Sequence, residues 1–209
     1  MVGRIIQGPD CLAEGAAWLA AREPRFGAAL ALTGPVPLRR DAGGFVDLLS
    51  AIAGQQVSVA SANAVIAKLG TAGLTQPAAV VVATEAELRA CGLSRQKIRY
   101  VQALAAAGLD YDALALMPDD EVVRTLVALP GIGFWTAEIY AMFSLGRSDV
   151  FAPGDLAMQE AARLLFGLAR RPTEREFRVM AQDWSPWRSV AARILWAYYK
   201  VAKDREGVL

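Results

Sequence analysis

An all-α fold follows from three features of this 209-residue sequence. Forty alanines and many leucines favour helix, no long apolar/polar alternation marks a half-buried sheet, and two Thr-x-x-Glu capping boxes announce helix starts. Taken in order, residues Asp10 to Ala21 form a first helix, followed by a turn at Arg22-Glu23-Pro24-Arg25. A connection rich in helix breakers runs through Thr33-Gly34-Pro35-Val36-Pro37 and Asp41-Ala42-Gly43-Gly44. Phe45, Val46, Leu48, Leu49 and Ile52 then repeat on one helical face, and the chain passes Gly54-Gln55-Gln56. Ser58 to Leu69 reads as a helix closed by Gly70. Thr84 with Glu87 is the first capping box, and Ser94 caps a helix to about Ala107. Pro118 suits the first turn of a helix through Ala128 whose inward face is Val122, Val123, Leu126 and Val127. After the break at Leu129-Pro130-Gly131-Ile132-Gly133, helical spacing resumes from Trp135 to Phe143. Further helices start near Asp155, ending by Gly167, at the Thr173/Glu176 box, and at Ser185-Pro186, the last running to about Val201. That makes about ten helices, with no repeat and no flexible linker.

Composition removes several function classes. A hydrophobic fraction of 55% with mean hydropathy +0.30 excludes a disordered chain. No apolar run approaches the ~20 residues that cross a bilayer, and the first residues lack the layout of a signal peptide, so a soluble intracellular protein is expected. There is no histidine, which excludes Ser-His-Asp and Cys-His catalysis and any His-liganded zinc. Cys11 and Cys91 alone cannot complete a four-ligand zinc or iron–sulfur site, and two buried thiols are expected of them. The net charge of +1 speaks against nucleic acid, yet charge is unevenly spread. Residues 110–121 carry five acids and no base, whereas residues 163–193 carry seven arginines against three acids.

The hairpin at residues 129–133 carries the clearest chemical signal. Two glycines spaced by one residue, between two helices, permit close approach of another molecule to the backbone. The unpaired N–H groups at the start of the second helix form an anion site without any basic side chain. An ordinary helix–helix turn reads the same way locally. Asp155, after Gly154 and before a helical stretch, is equally a plain N-cap, and Gln55 and Gln56 equally polar residues of an exposed loop.

Longer segments are more specific. LPGIG followed by TA, then DVFAPGD at residues 149–155, resembles the helix-hairpin-helix DNA glycosylases. FVDLLSAIAGQQVSVASANAVIAKL, GLSRQKIRYVQALA and WSPWRSVAARILWAYY resemble signatures of the DNA-3-methyladenine glycosylase II family, in the expected order. Together the matches span Phe45 to Tyr199.

The resemblance implies a two-lobed helical fold with the active-site cleft between lobes. Residues 1–43 and 150–209 would form one lobe and residues 44–149 the other, with the helix-hairpin-helix at about 118–143 and no additional N-terminal β domain. It makes Asp155 the catalytic carboxylate, stabilising the positive charge that develops on the sugar. Trp135 and Trp196 would line the base pocket, with Tyr140 beside them, although the familiar tyrosine position falls on Ile139. Gln56 would fill the gap left by a flipped base and Gln55 would touch the minor groove. Gly131, Ile132, Gly133 and Thr136, with Ser94 and Lys97, would hold DNA phosphates. Arg188 and Arg193 are phosphate candidates that a solvated helix face explains equally well. For Trp184 and Trp187 a core role is expected.

Members that also cut the strand use a lysine two positions after the second hairpin glycine. Here that position is Trp135, which implies a hydrolase without lyase activity. The implied substrates are 3-methyladenine and 7-methylguanine, whose positive charge makes them good leaving groups without a histidine acid. The implied partner is duplex DNA bearing alkylated bases, met by a monomeric, cytoplasmic protein with no membrane contact. No organic cofactor is implied, only a Na+ or K+ on hairpin carbonyls near Leu129 and Ile132. The competing readings are a helix-hairpin-helix protein that binds DNA without cutting it, and a glycosylase for deaminated or oxidised purines.

Overall fold

Apolar residues three and four apart put a buried stripe on nearly every predicted helix, and the structure is built from those stripes. The computed structural model describes residues 2–205, with side chains through residue 203. Among them are thirteen α-helices, one 3-10 helix and an isolated bridge between Ile5 and Arg147, with no strand. No helix of the described residues is long and apolar enough to cross a membrane. In chain order the helices are α1 (Pro9–Arg22), α2 (Pro24–Thr33), α3 (Phe45–Gly54), α4 (Val59–Thr71) and α5 (Pro77–Val82). Next come α6 (Glu85–Ala90), α7 (Arg95–Ala106), α8 (Tyr111–Leu116), α9 (Asp119–Val127) and α10 (Phe134–Phe143). The last three are α11 (Leu156–Phe166), α12 (Glu174–Met180) and α13 (Arg188–Arg205), with the 3-10 turn Ala181–Trp184 ahead of α13.

The chain divides into two compact units. One holds Asp41–Tyr140, and the other Gly3–Arg40 with the chain from Ala141 onward. The division therefore falls inside α10, nine residues before the boundary expected from sequence. The reason is a set of backbone bonds in the second unit: Ile6 donates to the Gly146 carbonyl at 2.7 Å, Ser148 to Arg4 at 3.0 Å, and Ser189 to Ser148 at 2.9 Å.

The first unit buries Phe45, Leu48, Leu49 and Ile52 of α3, Ile98, Val101 and Leu104 of α7, and Val122 and Leu126 of α9. In the second, Trp184 sits at the middle of an aromatic cluster. Its ring centroid lies 5.2 Å from Phe26, 5.5 Å from Phe151 and 5.9 Å from Phe177, all edge to face, and 5.7 Å from Phe166, which stacks on it. Aromatic pairs of either kind add about 1 kcal/mol each beyond area burial. Trp187 is also buried, and a Cβ on Gly15 of α1 would lie 2.7 Å from its ring. A glycine there lets α1 approach α13 closely. Trp184 and Trp187 thus have the core roles expected of them.

Three helices escape the sequence pattern. At α2 the segment that reads as a turn is a helix start, with Pro24 in the first turn and the Glu23 carboxylate accepting the Arg25 N–H at 3.1 Å. The other two, α5 and α8, are six residues long, too short for periodicity to show; Asp110 caps α8 through the Asp112 and Ala113 N–H groups. Proline 118 takes the cap position of α9, and α13 starts at Arg188, after the Ser185-Pro186 pair. Both cysteines are free thiols, but only Cys91 is buried; Cys11, in the first turn of α1, is half-buried.

Candidate functional site

The hairpin between α9 and α10 is fixed from inside. Ile132 is buried, and its N–H closes the turn on the Leu129 carbonyl at 3.2 Å. Gly131 has φ +84°, and a Cβ there would lie 2.3 Å from the Tyr100 ring, so two separate constraints exclude a side chain. Gly133 differs. It is exposed, nothing in the chain lies within 4 Å of where its Cβ would be, and its backbone does not require glycine. Phe134 and Trp135 are also exposed, 58% and 47%, on a helix start that packing alone would make polar. Thr136, by contrast, is buried. Carbonyl oxygen is the donor a monovalent cation takes, and the Leu129 carbonyl keeps one lone pair beyond its turn bond.

The loop after α3 sits in the same unit and is tied to this hairpin. Gln55 donates its amide Nε2 to the Gly131 carbonyl at 2.8 Å. Gln56 is exposed with φ +58°, the one non-glycine among the described residues in the left-handed region, a conformation costing about 1–2 kcal/mol. Ser94 caps α7 by accepting the Lys97 N–H at 3.3 Å. The Lys97 ammonium donates to the Ala53 carbonyl at 2.7 Å, and burial pushes its pKa down. A cation in a first helical turn calls for a negative partner; the carbonyl end of α3 supplies it here. Tyr140 is buried, and its hydroxyl accepts the Gly44 N–H at 3.0 Å. Burial pushes its pKa up. The phenol thus anchors the start of α3.

In the second unit the segment 141–153 is buried throughout except for half-buried Asp149. It ends in Pro153-Gly154-Asp155, where the Asp155 carboxylate caps α11 by accepting the Met158 N–H at 2.9 Å. Two contacts that the sequence did not disclose hold this segment. Buried Gln159 donates its amide to the Pro153 carbonyl at 2.8 Å. The Asp149 carboxylate accepts Arg188 Nε at 2.7 Å and Nη2 at 3.0 Å, and Ser185 Oγ at 2.7 Å. The available signal was a polar residue, Gln159, four positions after Asp155 on the apolar side of a helix.

Trp196 is half-buried, its ring 5.7 Å from that of Phe143. Both arginine candidates are engaged within their own unit, Arg188 half-buried and Arg193 buried. Arg188 is bound to Asp149, and Arg193 is buried, donating to the Ser189 and Met142 carbonyls with its guanidinium 4.4 Å from the Phe143 centroid. Arg193 does not lie on a solvated face, and Arg188, though partly exposed, has its guanidinium committed to Asp149. Of the residues singled out in the sequence, Gln55, Gln56, Ser94, Lys97, Gly131, Ile132, Gly133, Trp135, Thr136 and Tyr140 fall in the first unit, and Asp155 and Trp196 in the second.

Helices α9 and α10, joined by a glycine turn with an exposed amide end, define an all-α helix-hairpin-helix protein. Residues 49–187 match the HhH-GPD superfamily of base excision DNA repair proteins, and the chain belongs to that superfamily. The match extends to curated relatives. DNA-3-methyladenine glycosylase 1 of Schizosaccharomyces pombe is 28% identical over 167 residues, covering 76% of this chain and 73% of the relative. DNA-3-methyladenine glycosylase 2 of Escherichia coli is 32% identical over 162 residues, covering 70% of this chain and 54% of the relative. Among solved structures, the DNA-3-methyladenine glycosidase of Bacillus halodurans superposes with a TM-score of 0.82 at 28% identity, covering 91% of each chain. The S. pombe 3-methyladenine DNA glycosylase in complex with abasic DNA gives 0.78 at 26% identity, covering 88% of this chain and 95% of the other.

Proposed function

We propose that this protein is a monofunctional DNA glycosylase that hydrolyses the N-glycosidic bond of 3-methyladenine and 7-methylguanine in duplex DNA. Water attacks C1′, the base leaves with the bonding electrons, and an abasic site remains. The observation that carries this reading is the Asp155 carboxylate, held by its α11 cap at the end of a buried segment. A fixed carboxylate stabilises an oxocarbenium-like sugar far better than a mobile one, because no reorganisation is needed as charge develops. A base that is already cationic needs no acid to leave, which accounts for an enzyme without histidine.

The hairpin supports DNA as the partner. The chain itself does not need glycine at 133, so a bare backbone there serves a molecule outside it, and a phosphate on the α10 amides is the fitting one. Carbonyls of Leu129 and Ile132 would hold a monovalent cation, which would add positive charge near that phosphate. Gln56, exposed on a left-handed turn, would fill the space of the flipped nucleotide, and Trp135 and Trp196 would stack on the cationic base. On this reading the protein acts inside the cell, on chromosomal DNA.

The test is release of free base from duplexes that each carry one defined lesion. Release of 7-methylguanine well above that of neutral hypoxanthine is expected, whereas equal release would remove the cation-stacking argument. Binding of damaged DNA without any release would leave only a DNA-binding protein. No lysine stands at Trp135, so borohydride added during turnover should trap no covalent protein–DNA adduct. A trapped adduct would contradict the hydrolytic route.

A further inference from the structure

We propose that Lys97 and Gln55 are positioning residues that hold the Gln56 loop and the hairpin as one rigid piece, so that gap filling and phosphate anchoring act together. The inference rests on the reading of Gln56 as the residue that fills the gap in the duplex.

Four hydrogen bonds and the seat of Gly131 on the Tyr100 ring carry it, all within the first unit. Carbonyls in the last turn of a helix have no partner in the helix itself. At α3 one of these, Ala53, lies three residues before Gln56 and receives the Lys97 ammonium at 2.7 Å. That bond uses a half-buried lysine that would otherwise sit against the positive end of its own helix. Gln55 next donates its side chain across to Gly131 at 2.8 Å. Gly131 in turn rests on the Tyr100 ring, whose hydroxyl accepts Gln96 Nε2 at 2.6 Å. On its other side Gln56 is followed by Ser58, which caps α4 by accepting the Ser61 N–H at 3.2 Å.

Helix α7 therefore supplies both Lys97, which grips the end of α3, and Tyr100, which seats the hairpin. Gln55 is the strut between them. A left-handed glutamine persists only where its surroundings hold it, and here fixed points stand on both sides. A DNA phosphate bound at the hairpin thereby sets where Gln56 enters the helix, without any contact from Lys97 or Gln55 to the reacting base.

The experiment compares Lys97→Met, Lys97→Arg and Gln55→Leu, each alone and combined with Gln56→Ala. Single-turnover release of 7-methylguanine is measured from a duplex with cytosine opposite, and from one with an abasic analogue opposite, where little pairing must be broken. With enzyme saturating, so that any loss of DNA affinity is removed, Lys97→Met and Gln55→Leu should each slow the paired substrate about tenfold more than the unpaired one. That extra slowing should vanish once Gln56 is alanine. Lys97→Arg should retain most of the rate. Equal slowing on both substrates, or full additivity with Gln56→Ala, would overturn the proposal and leave only a structural role. If Lys97→Met fails to fold, Gln55→Leu carries the test, since it leaves the α3–α7 contact in place. A wild type that releases no base would reject the functional reading alone. Fluorescence of 2-aminopurine opposite the lesion would still report insertion: a rise on binding that is lost in both variants supports the coupling, and an unchanged rise refutes it.

Discussion

Asp155→Asn should bind damaged DNA almost as the wild type does and release almost no base. Asparagine keeps an oxygen for the Met158 N–H, so the α11 cap survives and stability should change by no more than about 1 kcal/mol. On the proposed reading, what is lost is the negative charge that would face the developing sugar cation. Removal of one preorganised electrostatic partner typically slows chemistry by about 100- to 1,000-fold. Single-turnover base release, with binding by anisotropy and thermal melting as controls, separates these effects. Excision at the wild-type rate would remove Asp155 from the chemistry and leave it a cap. An equal loss of binding and melting temperature would make it a structural residue.

Gly131→Ala should be the most damaging single methyl group in the first unit. Left-handed backbone costs an ordinary residue about 1–2 kcal/mol, and overpacking a filled site costs about 1–3 kcal/mol more. The added carbon would meet Tyr100 at Cβ, Cγ and Cδ2, the root of the side chain rather than its end, and the hydroxyl is held by Gln96. The ring therefore has little freedom to move aside. Denaturant unfolding should register a loss of roughly 2–5 kcal/mol. Combining it with Tyr100→Ala should recover the steric part and leave the backbone part, so the two changes will not add. A Gly131→Ala protein as stable as the wild type would mean that the hairpin can rearrange, and the coupling through Gln55 would fall with it.

The elements legible in the sequence were those whose signal is local. Both capping boxes form as written, with Thr84 and Thr173 accepting from Glu87 and Glu176 and the glutamates answering. The apolar faces of α3, α7 and α9 gave their buried sides by spacing alone. Helix α2 was hidden because Pro24 reads as a break unless one asks whether it sits in a first turn, where proline is at home. The hairpin and the DVFAPGD segment with Asp155 were visible as motifs. The supports were not: Gln159 to Pro153 spans six residues, Lys97 to Ala53 forty-four, and Gln55 to Gly131 seventy-six. Sequence spacing cannot announce a bond that exists only after two helices have packed. The same gap explains Arg188 and Arg193, which look solvated along the chain but are committed to partners distant in sequence, Asp149 for the first and Met142 for the second.

The buried run from Ala141 to Pro153 bears on how such a protein can diversify. Folds usually accept insertions in loops, because a loop on the surface can lengthen without disturbing what lies beneath. This connection has no surface to lengthen into, since its backbone and side chains are interior apart from Asp149. A single inserted residue would displace Asp155 and break the packing of the unit in the same event. On the proposed reading, a change of lesion range would have to arise outside the segment that carries Asp155. Exposed positions such as Gln56 and Trp135 are where a substitution would alter what an outside molecule touches.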